Sequence, residues 1–252
     1  MLSASRPGSH GALSGTLDEA VAEIRAAGGR ADRVVADLLA EAERSDLLAR
    51  AAERFGPPDI LINNAAMARF APPSASPLEH RRKMAEVNLH APVDLAQQAL
   101  PGMRERGRGW ILNISSDSAL QPSLPYRDTP QAAHAIVAYG ATKAALNRYT
   151  EGLAHEVACD GVFVNALAPV AIVLTQEAAR VAGHIARKHP DMAEPVEVMV
   201  EAALELVTGR HVGRVVSSRA ILHEAARPVR SLDGRCVLGD AFLAADLDAI
   251  VS

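Results

Sequence analysis

The sequence predicts an α/β fold: one domain built on a parallel sheet with helices on both faces. Three observations predict it. Short apolar or β-branched runs at 33–38, 59–63, 110–114 and 162–168 are each bounded by turn or polar residues. Segments with helical periodicity separate them, so strands and helices alternate. The chain has 252 residues, of which 49% are hydrophobic, enough for one sizeable core.

In chain order, residues 1–15 are polar and loop-like, and read as a flexible lead-in. Gly8, Gly11 and Gly15 do not make a phosphate loop, because such a loop needs a strand before it and a helix after it. Leu17, Val21 and Ile24 form a helical stripe that Gly28 and Gly29 stop. A strand over 33–38 follows, then a helix carrying Leu47, Leu48, Ala51 and Phe55 that ends at Gly56-Pro57-Pro58. Asp59–Asn63 is the next strand. Residues 78–106 read as one long helix, kinked near Leu89-His90 by Pro92.

The strand 110–114 runs on to Ser116. Pro122, Pro125 and Pro130 make 119–137 a proline-rich insert rather than a regular element. A helix from Tyr139 to Ala158 and a strand over 162–168 come next. Residues 177–188 and 196–208 read as helices, the second preceded by Pro195, and 213–217 as a last strand. Residues 227–252 have weak periodicity and read as a C-terminal tail. There is no internal repeat.

Composition excludes several functions. A net charge of −4 gives no electrostatic case for nucleic acid or an acidic membrane surface, and a solvated helix face explains Arg81-Arg82-Lys83. Cys159 and Cys236 are isolated, with no zinc-like spacing, which suits a reducing cytoplasm and no metal. No apolar run reaches membrane-spanning length, so a cytoplasmic location is expected.

The chemistry points to Tyr139 and Lys143. Four residues apart on a helix, they share one face. An ammonium beside a phenol favours the phenolate and lowers a pKa near 10 toward neutrality, making an acid/base for an oxygen that changes charge. Alone the spacing is weak evidence, since an amphipathic helix produces it by chance.

Its company is more specific. Asn63-Asn64-Ala65-Ala66 follows a strand, and Asn88 lies within Val87-Asn88-Leu89. Ser115-Ser116 ends another strand, and Asn165-Ala166-Leu167-Ala168-Pro169 closes a third. As an ordered set, these residues resemble the short-chain dehydrogenase/reductase (SDR) family over nearly the whole chain.

The resemblance implies a Rossmann-like doubly wound sheet and an NAD(P)-dependent oxidoreductase, with NAD or NADP undecided. It implies Tyr139 as acid/base and cofactor contact, Lys143 as its modulator and ribose contact, Ser116 steadying the substrate oxygen, and Asn88 completing a proton path through water to Lys143. It places Asp37 near the adenine, Asn63 and Ala65 along the ribose side, and Ile172 near the carboxamide. Arg6, if it ends the family's second strand, would pair with a 2′-phosphate and favour NADP; the other reading is a solvated arginine in a polar lead-in. The substrate would be a small-molecule alcohol or ketone. A homodimer or homotetramer would pair through the long helix and the Tyr139 helix, using Leu95, Ala99, Leu146 and Leu153, unless these only cover the sheet.

Two departures sit where substrate would enter: the long Ser116–Tyr139 interval, and Val170 where the family carries glycine. Tyr126, inside that interval, has no lysine four residues on and does not compete with Tyr139.

The family's opening Thr-Gly-x-x-x-Gly-x-Gly strand–turn–helix has no counterpart in this sequence. The first strand and helix are therefore expected to be missing, leaving the edge of Asp59–Asn63 without its partner. A non-redox or cofactor-free protein on the same scaffold, either a regulatory or assembly subunit or a lyase, is the alternative this absence raises.

Overall fold

The computed structural model describes residues 1–4, 15–120, 135–175, 183–184 and 186–239. The readings of Arg6, Gly8, Gly11 and Tyr126 lie outside them, as do most of the proline-rich insert and most of the helix predicted at 177–188.

Four parallel strands form the central sheet in the order β3 (Ile60–Asn63), β4 (Gly109–Ile114), β5 (Val162–Ala168), β8 (Val215–Ser217). Every residue of β5 is buried, as a strand covered on both faces requires. Successive side chains of β4 point to opposite faces and enter different cores. Ile111 packs with Leu95, Ala99 and Met103 of α5 (Ala91–Arg106) and with Leu153 and Val157 of α6 (Val137–Val157). Leu112 packs on the other face with Val198, Ala202 and Leu206 of α7 (Val196–Thr208). α8 (Ser218–Glu224) follows β8 directly.

The N-terminal part is more regular than its polarity suggests. Leu2–Ala4 is a strand, β1, in parallel register with β2 (Arg33–Val35), so the lead-in reading is corrected there. Three residues are too few to show alternation, and the pairing comes from α1 (Leu17–Ala26) folding back as a crossover. α1 begins at Thr16, whose hydroxyl caps the Glu19 N–H.

β1 and β2 form their own two-stranded sheet. Among the described residues no strand lies between them and β3. Ile60 and Ile62 are 42% and 47% exposed along β3, while Leu61 and Asn63, alternating with them, are buried.

The kink expected near Pro92 is a π-helical segment, Glu86–His90, joining α4 (Leu78–Ala85) to α5. Pro92 sits in the first turn of α5, where its missing N–H has least effect. The buried Arg44 guanidinium braces the segment, meeting Glu86 at 2.6 Å and Asp94 at 2.8 Å. Another difference lies at the C-terminal end. Val229–Arg230 and Val237–Gly239 pair antiparallel as β9 and β10, so the tail reading is corrected over 229–239. Arg227, just before β9, pairs with Glu201 at 2.7 Å and Glu205 at 3.0 Å on α7.

Leu95, Ala99, Leu146 and Leu153 are all under 10% exposed within this one chain. Leu95, Ala99 and Leu153 belong to the core on the Ile111 face of the sheet.

Candidate active site

The chemistry-bearing residues converge beyond the carboxyl ends of β3, β4 and β5, where open parallel sheets place their ligands. β4 ends at Ile114, and Ser116 caps a single 3₁₀ turn, Asp117–Ala119, its Oγ accepting from the Ser118 N–H at 3.2 Å. The Ser118 hydroxyl lies 2.9 Å from the same oxygen. α6 enters beside this turn and brings the half-buried Tyr139 to Ser116, with which it hydrogen-bonds.

One turn further along α6, Lys143 is 1% exposed. Its Nζ donates to the Ile114 carbonyl at 2.7 Å and lies 5.9 Å from the centre of the Tyr139 ring. Burial lowers the ammonium to about 8, since desolvation penalises the charged form. Tyr139 departs from the sequence expectation. Burial pushes its phenol above the ordinary value, and the Ser116 hydrogen bond pulls it only partly back. Burial of the ring sets the direction, and the Lys143 ammonium is turned to the Ile114 carbonyl.

Asn88 lies in the π segment and is fully buried. Its carbonyl oxygen accepts from the Met67 N–H at 2.8 Å. Its amide nitrogen donates to the Met67 carbonyl at 2.8 Å and to Thr142 Oγ1 at 3.0 Å. The side chain therefore clamps the loop after β3 to α6.

Asn63 turns inward: its amide donates to Asn113 Oδ1 at 2.9 Å, and Asn113 donates to Thr150 on α6 at 2.9 Å. Ala65 is exposed in the loop that follows. Asp37 closes a turn after β2, its Oδ1 accepting from the Leu39 N–H at 3.0 Å. Ile172 opens β6 (Ile172–Leu174), directly after the Pro169–Ala171 turn that leaves β5. The structure thus gathers Ser116, Tyr139, Lys143 and Asn88, and places Asp37 in the turn after β2.

Sequence reasoning missed Gly140. A Cβ there would stand 2.5 Å from the Ser118 carbonyl oxygen. Only a residue without a side chain lets α6 approach the Ser116 turn this closely. Alanine favours a helix over glycine by about 1 kcal/mol, so on propensity alone Gly140→Ala would stabilise. The expected result is the opposite for the site. The substitution parts Tyr139 from Ser116 and lowers kcat/KM about 10- to 100-fold, which steady-state kinetics beside a melting curve would measure.

With this geometry in hand, comparison with known proteins is specific. The short chain dehydrogenase family model matches residues 11–184. The chain belongs to the short-chain dehydrogenase family. A short chain dehydrogenase of Pseudocercospora fijiensis is 30% identical over 233 residues, covering 84% of this chain and 72% of that protein. A 3-oxoacyl (acyl-carrier-protein) reductase from Agrobacterium tumefaciens, solved with NADP bound, superposes with a TM-score of 0.69 at 30% identity, covering 81% of this chain and 80% of its own. A gluconate 5-dehydrogenase from Burkholderia cenocepacia, in complex with NADP and tartrate, gives 0.66 at 26% identity, covering 79% and 78%. Family membership makes this chain an oxidoreductase of the short-chain type on a Rossmann-like fold. Among the described residues no helix is long and apolar enough to cross a membrane.

Proposed function

We propose that this protein is an NAD(P)-dependent oxidoreductase that interconverts a small carbonyl compound and a secondary alcohol, with Tyr139 as its acid/base. The observation that carries the reading is the contact of Tyr139 with Ser116 beside the buried Lys143. The NADP held by the two solved relatives supports the cofactor class.

The residues present fit the nicotinamide end of such a dinucleotide. Ile114 supplies the only hydrogen-bond acceptor of Lys143 Nζ among the described residues, which leaves two N–H groups for ribose hydroxyls. Ile172 and the turn before it would flank the carboxamide, and Asn63 and Ala65 would lie along the ribose side. When bound, the reduced nicotinamide supplies the hydride.

Each protein group then has a task in reduction. The Ser116 hydroxyl holds the carbonyl oxygen of the substrate by a hydrogen bond. The raised phenol of Tyr139 is protonated at neutral pH and gives its proton to that oxygen as the carbon accepts hydride, so C=O becomes CH–OH. The Lys143 ammonium favours the phenolate left behind. Asn88 keeps the loop after β3 against α6. In oxidation the proton moves in reverse, and Tyr139 must first be deprotonated.

A titration of the purified chain with NADH and NADPH tests the reading. Saturable binding of one or both is expected, and binding of neither would contradict it. The second reading, a non-redox protein on this scaffold, is favoured by one observation: no strand among the described residues fills the position between β1 and β3, where the family's glycine-rich unit sits. Tight nicotinamide binding would eliminate it.

A further inference from the structure

Glu194 has no role in the scheme above, and it is a carboxyl group with no exposure to solvent. It sits in the middle of β7 (Ala193–Pro195), the strand that pairs in parallel with β6, with Ile172 opposite Ala193 and Val173 opposite Glu194. An unpaired buried carboxylate is strongly unfavourable, so its partners indicate what holds it there.

Both carboxylate oxygens lie 2.7 Å from the Ser218 hydroxyl on α8, itself fully buried. The neighbouring Arg219 donates to the Ala193 carbonyl at 2.5 Å and holds its Nε 3.7 Å from the carboxylate. The Val170 backbone N–H is also turned to the carboxylate. Burial pushes this carboxyl up, and Ser218, Arg219 and Val170 each pull it back toward the ionised form.

These contacts join three pieces of chain that are remote in sequence: α8, β7, and the turn between β5 and β6. That turn carries the Val170 for glycine departure and leads straight into Ile172. A free turn at this point would have several conformations to lose on binding a ligand, and fixing it beforehand removes that cost.

We infer that Glu194 is a positioning residue for the nicotinamide, a buried clasp that fixes the Val170–Ile172 turn against α8 through Ser218. The inference rests on the proposed function, because the turn matters only if the nicotinamide lies against it. Glu194 touches neither substrate nor cofactor. It acts through the turn, so it contributes equally to ground-state and transition-state binding and shows in KM rather than kcat.

Two variants and two readouts test this. Glu194→Ala removes the clasp. Glu194→Gln keeps a side-chain oxygen as acceptor for Val170, and its amide NH2 donates to the Ser218 oxygen where the carboxylate had accepted from that hydroxyl, so it should rescue. Amide hydrogen exchange on the dinucleotide-free proteins reads the turn directly. In Glu194→Ala, exchange over 170–174 should quicken about tenfold, the equivalent of 1.4 kcal/mol, with β5 unchanged.

In steady state the same variant should raise the KM for the nicotinamide dinucleotide about tenfold, with kcat within about threefold of the parent. Glu194→Gln should return both quantities to within about threefold of the parent. Faster exchange with an unchanged KM would make the clasp structural only and overturn the inference while leaving the proposed function standing. Unchanged exchange and KM in Glu194→Ala would overturn it as well. If the parent protein binds no nicotinamide dinucleotide, the proposed function fails first and the inference falls with it.

Discussion

Tyr139→Phe is expected to lower kcat by about two to four orders of magnitude, the range that a positioned acid/base contributes. The chain should stay folded. The ring is half-buried and its apolar part is retained, and among the described residues the hydrogen bond removed is the one to Ser116, worth about 1 kcal/mol. Nicotinamide binding should change little, since the phenol is one of several contacts. Parallel measurement of kcat, dinucleotide affinity and the melting curve separates these effects. A variant that turns over as fast as the parent would remove Tyr139 from the chemistry. The raised phenol also sets a direction: reduction should run well at neutral pH, where Tyr139 holds its proton, and oxidation should gain as pH rises toward the value at which it is lost.

Lys143→Met should separate activity from stability. Turnover is expected to fall about a hundredfold or more, because the phenolate loses its stabilising cation. Stability at neutral pH should hold or rise. The ammonium titrates near 8 in the folded chain against 10.5 as an ordinary lysine. Below about 8 it is protonated in both folded and unfolded states, and the folded state bears the full desolvation penalty, on the order of 3 kcal/mol. Between about 8 and 10.5 the folded chain releases the proton first, so this group's penalty fades and stability rises with pH.

Methionine has similar bulk and no charge. The Ile114 carbonyl does lose its donor, but at about 1 kcal/mol that loss is the smaller quantity. Denaturant unfolding on both sides of that pH window should therefore show an alkaline gain in the parent that the variant lacks. A variant that is both inactive and markedly less stable at neutral pH would mean that Lys143 is chiefly structural.

What the sequence revealed of the site follows from local rules. Tyr139 and Lys143 share a helix face by spacing alone, and Ser116 ends a strand whose apolar run is plain. Pro92 betrayed a break in the long helix, though not that five residues would wind as a π segment. What stayed hidden depends on tertiary contact. Nothing near Gly140 shows that Ser118 will approach it, and nothing near Glu194 shows that it will be sealed against Ser218.

The bonds that hold Asn88 were hidden for the same reason, since Met67 and Thr142, its partners, lie 21 and 54 residues away. β1 and the β9–β10 hairpin escaped notice because two or three residues carry no periodicity; their partners make them strands. Leu95, Ala99, Leu146 and Leu153 could serve a subunit contact or cover the sheet, and sequence leaves both open because core and interface use the same side chains. Among the described residues β3 pairs only with β4, at one edge of the four-stranded sheet.

The most direct measurement of the central claim is hydride transfer itself, in parent and Tyr139→Phe protein side by side. Each is given NADH or NADPH deuterated at nicotinamide C4 together with a panel of ketones, and the alcohols are analysed by mass spectrometry. The expected result is deuterium on the carbinol carbon with the parent protein, and at least about a hundredfold less with the variant, while both bind the dinucleotide. Deuterium transfer at equal rates by the two proteins, or no transfer to any ketone by a parent that binds dinucleotide, would contradict it.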